Sequence, residues 1–69
     1  MNLKVDIKRI YLAMAEKGYS GTDLAKKSNV SVQAVNNVLN GKRKGTTKVL
    51  GNICKALDLP IKEVLSVED

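Results

Sequence analysis

Apolar residues recur at spacings of three and four along most of this 69-residue chain, and that periodicity predicts helices. Ile7, Ile10, Ala13 and Met14 share one face of a helix over about Val5 to Lys17, which Gly18 ends as the residue after its cap. A second helix begins after Ser20. Asp23, three residues on, completes the pattern of a capping box, with Asp in place of the stronger Glu, and the helix ends near Ser28. A third helix spans about Val32 to Leu39, capped by Ser31 and stopped by Asn40-Gly41. Gly41 to Gly45 reads as a basic loop. A fourth helix starts after Thr46 or Thr47 and runs to Leu57, burying Val49 or Leu50, Ile53 and Leu57. Pro60 opens a fifth helix, where its missing amide hydrogen costs nothing, and Ile61, Val64 and Leu65 close the bottom of the core. Ser66 to Asp69 are expected to fray. The pattern predicts five helices and no strands, in a single domain over residues 1-69 with its core at about 5-65 and a tail at 66-69.

Residues Gly21 to Asn40 are two short amphipathic patterns joined by one tight turn. Ala25 stands where the two helices must approach closely, and a larger side chain there forces them apart. Asn29 stands at the turn, and Asn tolerates positive φ better than most residues with a side chain. Val35 and Val38, three apart, fall on one face of the second helix, while Gln33, Asn36, Asn37 and Asn40 fall on the other. A helical face of amides on a compact brace is a shape the major groove of DNA accepts.

These residues resemble the helix-turn-helix of the phage-repressor family, the Cro/repressor or XRE type. The likeness runs from Ile10 through Lys17-Gly18-Tyr19-Ser20, Leu24-Ala25, Asn29-Val30-Ser31, Val35, Val38 and Asn40-Gly41-Lys42-Arg43. It ends with Ile53, Ala56-Leu57 and Val64-Leu65. No one of these elements is specific, but their joint spacing over most of the chain is. The resemblance implies an all-α, five-helix, lambda-repressor-like DNA-binding domain, with the helix-turn-helix at helices 2 and 3. It also implies a transcriptional regulator, a repressor or a Cro-like switch. The chain departs from the family where an Arg in helix 1 and a Glu ending helix 3 commonly pair across the core, since Met14 and Leu39 stand there. Replacing both partners of a buried ion pair by apolar groups is often neutral or stabilising, whereas losing one is costly. It departs again at Gly21, where the family often has a Gln that touches a phosphate and the recognition helix.

Charge sharpens this picture. The net charge is +5, and between Leu24 and Leu57 there is no acidic residue, while Lys26, Lys27, Lys42, Arg43, Lys44, Lys48 and Lys55 all lie there. The positive field centres on the helix-turn-helix and the loop after it, as a polyanionic partner requires. The expected partner is double-stranded DNA. Base edges fall to the first turns of helix 3. Gln33 and Asn37, four apart, carry amides that donate and accept at once, the pattern adenine presents with N6 and N7. Val32 offers a methyl surface to a thymine methyl, and the family's base-contacting positions carry over onto Val32, Gln33 and Asn37, with Asn36 beside them. Phosphates fall to Asn40, Lys42, Arg43 and Lys44 beyond helix 3 and to the start of helix 2 at Gly21 and Thr22, with Ser31 at the turn. Lys26 and Lys27 are either a solvated outer face or further phosphate contacts.

The composition also excludes chemistry. There is no histidine, so the usual general base and commonest metal ligand are missing, and the carboxylates are scattered. No catalytic residue, metal site, cofactor or small-molecule ligand is expected. The one cysteine, Cys54, excludes an intrachain disulfide, fits a reducing cytoplasm and sits in a helical pattern as a small hydrophobe. No apolar run approaches the ~18 residues of a membrane span, and no signal peptide is expected. No separate ligand-binding or dimerisation domain is expected. A homodimer on a pseudo-palindromic operator is the expected assembly, with Leu59, Ile61 and Leu65 as its patch unless the core uses them. The rival reading is a protein-interaction or antitoxin-like partner with the same fold. That role calls for exposed aromatics or Leu on the outer face of helix 3, where this chain has amides.

Overall fold

The computed structural model describes residues 2–41 and 47–68. The elements follow in the order β1 (Asn2–Val5), α1 (Ile7–Lys17), α2 (Gly21–Ser28), α3 (Val32–Leu39), α4 (Thr47–Ala56), a 3-10 turn (Ile61–Glu63) and β2 (Leu65–Glu68). The helix ends are set locally. Asp6 caps α1 by accepting the Arg9 amide at 3.1 Å. Gly18 closes it at φ 70, with the Tyr19 amide donating to Met14 O at 2.9 Å. Asn29 takes φ 58 after α2 and lets the Val30 amide reach back to Ala25 O. Side chains other than Gly rarely enter that region, and Asn is among those that do.

The four helices close over one core. Ile10, Leu24, Val35, Val38, Leu50, Ile53 and Val64 are its largest fully buried side chains, joined by Ala13, Met14, Ala25, Cys54 and Leu57. Each such aliphatic side chain contributes about 1.5–3 kcal/mol relative to an exposed one. Leu50 is the inward residue at the start of α4, and Val49 is half-buried beside it. Ala25 is 2 % exposed on α2, which packs against both α3 and α4. Burial pushes the Cys54 thiol up, so it is an inert apolar group rather than a thiolate. Ser28 is buried too, and its hydroxyl has no hydrogen-bond partner among the described residues.

Three expectations are corrected here, all at the ends of the chain. First, the strandless, five-helix reading gives way, among the described residues, to four helices and a two-stranded antiparallel sheet. Leu3 pairs with Val67 and Val5 with Leu65. Val5 therefore belongs to β1 rather than to α1, which starts at Ile7 behind the Asp6 cap. Second, the segment after Pro60 is a single 3-10 turn, because Val64 and Leu65 leave it to join the core and the sheet. Ile61 is 44 % exposed and does not close the core, whereas Val64 does. Third, residues 66–68 are strand rather than a frayed tail. The backbone of β2 is held against that of β1 along the whole strand, from Val5 opposite Leu65 to Asn2 opposite Glu68. The turn is tied to α1 by Arg9, which donates to Glu63 Oε1 at 3.4 Å, and by the Asp6 amide donating to Val64 O at 2.7 Å.

Candidate nucleic-acid interface

The candidate interface is built from two helix starts. Ser20 and Asp23 form a reciprocal box: the Asp23 amide donates to Ser20 Oγ at 3.1 Å, and the Ser20 amide donates to Asp23 Oδ2 at 3.0 Å. The hydrogen bond from the Ser20 backbone, followed by that from its hydroxyl, holds the Asp23 carboxyl below the usual carboxylate range. This box consumes the Asp23 amide and leaves those of Gly21 and Thr22 as the spare donors of the first turn. The positive end of the α2 dipole lies with them. At α3, Ser31 Oγ accepts the Ala34 amide at 3.0 Å. The Ser31 hydroxyl keeps its own proton to donate.

α3 separates its two sides cleanly. Val35 and Val38 are buried, while Gln33, Asn36 and Asn40 are exposed and Asn37 is half-buried. Val32 is 43 % exposed at the first position of the helix. Asn40 caps the far end, its amide donating to Asn36 O at 2.8 Å, and its side chain stays on the outer face. The structure thus brings Val32, Gln33, Asn36, Asn37 and Asn40 onto one side of α3. Thr22 is exposed and Gly21 half-buried at the neighbouring start of α2. Lys42, Arg43 and Lys44 lie outside the described residues. Lys26 and Lys27 are exposed on α2. One relationship was not anticipated from the sequence: Asn36 of α3 lies against Gly21 of α2, across the turn.

Among the described residues no group of three or more His, Cys, Asp or Glu side chains is placed to hold a metal ion. No helix among them is long and apolar enough to cross a membrane.

The fold has a solved counterpart. The structure is similar to the N-terminal DNA binding domain of SinR from Bacillus subtilis, with a TM-score of 0.73 and 24% sequence identity, over 81% of this chain and 83% of that one. No curated protein sequence matches the chain. The family described as the Cro/C1-type HTH DNA-binding domain matches residues 9–69, which takes in all four helices apart from the first two residues of α1. That match makes the molecule a non-enzymatic DNA-binding regulator. The chain belongs to the Cro/C1-type helix-turn-helix DNA-binding domain family.

Proposed function

We propose that this protein is a sequence-specific regulator, a repressor or Cro-like switch, that reads the major groove of double-stranded DNA with α3. The observation that carries the reading is the row of amides Gln33, Asn36, Asn37 and Asn40 opposite the buried Val35 and Val38. Gln33 and Asn37 supply paired donors and acceptors suited to adenine, and Val32 supplies a methyl surface for thymine. No Arg stands on this face, so guanine is the less favoured base. The backbone is held by the Gly21 and Thr22 amides, by Ser31 and Asn40, and by the Lys42-Arg43-Lys44 loop. Two copies act together on an inverted repeat.

Selection of bound sites from random duplex DNA tests the whole reading. The expected product is an inverted repeat whose half-sites are rich in adenine and thymine. Retention of duplexes with no shared sequence would leave only a charge-driven, non-specific binder. A chain that retained no duplex at all would favour the antitoxin-like, protein-binding role.

A further inference from the structure

The first residue of α2 has no side chain, and an amide of α3 borders the space it leaves. A Cβ placed on Gly21 would lie 3.7 Å from Asn36 Oδ1, an ordinary van der Waals contact. On a helix turning about 100° per residue, Val35 and Val38 mark the core side and Gln33 and Asn40 point directly away from it. Asn36 and Asn37 then fall about 50° to either side of that outward direction. The contact with Gly21 identifies the Asn36 side as the one facing α2. The Asn36 oxygen thus lies by the end of α2 where the Gly21 and Thr22 amides are unclaimed and the helix dipole is positive. Its two N–H donors are left over, and among the described residues its side chain makes no hydrogen bond.

We infer that Asn36 grips the DNA backbone and reads no base. It stands in for the side chain that Gly21 lacks, and donates to the phosphate that lies against the first turn of α2. This inference rests on the major-groove reading proposed above. A neutral amide on a phosphate carries no sequence information and displaces no counterion. Its loss therefore has a signature that neither a base reader nor a lysine shares.

The test compares wild type, Asn36→Ala, Gly21→Gln and the double variant on the selected duplex and on a scrambled one, at several salt concentrations. Asn36→Ala is expected to lower affinity about two- to tenfold on both duplexes alike, the worth of one ordinary hydrogen bond. The slope of log K against log salt should stay unchanged, and a fresh selection should return the same motif. Gly21→Gln should restore most of the loss in the Asn36→Ala background and add little to wild type. Asn36 is exposed, so thermal melts should show all variants folded. A changed base at any position of the motif, or a loss confined to the selected duplex, would make Asn36 a base reader and overturn the inference. So would unchanged affinity on both duplexes. Failure of wild type to bind any duplex would instead overturn the major-groove reading itself, and this inference with it.

Discussion

Ser20 and Asp23 cap each other at the start of α2, each accepting the other's backbone amide at 3.0–3.1 Å. Ser20→Ala removes the hydroxyl half of this box and should cost ~1 kcal/mol of stability in a denaturant melt. The Asp23 half has a pH signature. Its carboxyl is held below its usual range by the Ser20 amide, so its contribution is present at neutral pH and is lost as pH falls through the lowered value. The stability gap between wild type and Asp23→Asn should therefore be widest above about pH 5 and close progressively below about pH 4. A gap that stays constant down to pH 2 would mean that charge has no part in the cap.

Gln33→Ala and Lys42→Ala should fail in opposite ways. Gln33 is exposed in the first turn of α3. Its loss should cost roughly 1–3 kcal/mol on the best site and relax preference at one base pair. Equal losses on specific and random DNA would exclude base readout. Lys42→Ala should weaken both kinds of DNA and reduce the salt slope by about 0.9. A slope that does not move would remove Lys42 from the phosphate contacts.

Met14 is 6 % exposed in the core, and Leu39 is half-buried against the same core. Met14→Arg should destabilise by ~3–5 kcal/mol, because it buries a charge with no partner. Met14→Arg with Leu39→Glu should recover much of that loss if the two side chains meet. Melts of the single and double variants decide the matter, and strictly additive losses would separate the two sites.

Ser28 offers a gain rather than a loss. Its hydroxyl is buried in α2 without a partner among the described residues. An unsatisfied buried hydroxyl costs about 1–3 kcal/mol, and Ala has the better helix propensity. Ser28→Ala should therefore stabilise the fold by ~1 kcal/mol in denaturant melts. A clear loss of stability would show that the hydroxyl is satisfied in solution.

What the sequence disclosed and what it hid follow one physical line. The caps at Ser20, Asn29 and Ser31 and the Val35–Val38 face involve residues at most four or five apart, so their chemistry is visible in a short window. The sheet is not visible that way. β1 and β2 have 4 residues each and pair from opposite ends of the chain, and each alone is too short to show a period. Ile61 misled because it follows Pro60 at a spacing suited to a helix, whereas the chain turns at Val64 to reach Asp6. The Gly21–Asn36 approach depends on how α2 and α3 cross, which no local pattern encodes.

Assembly on DNA is the remaining question that this surface poses. On the reading proposed above, one α3 offers few side chains to base edges, chiefly Val32, Gln33 and Asn37. At ~1–3 kcal/mol of discrimination for each good contact, one half-site does not stand out among a genome's competing sites. Two half-sites, read by two copies, multiply the discrimination. The expected operator is a pseudo-palindrome with half-site centres about 34 Å or 10 base pairs apart. Titrations should show two proteins per duplex with positive cooperativity, while the free chain sediments largely as a monomer. Shifting the half-sites apart by five base pairs puts the second on the opposite side of the duplex, and should abolish the cooperativity while leaving single-site binding intact. A one-to-one complex on an asymmetric site would refute the paired arrangement and make the protein a monomeric reader.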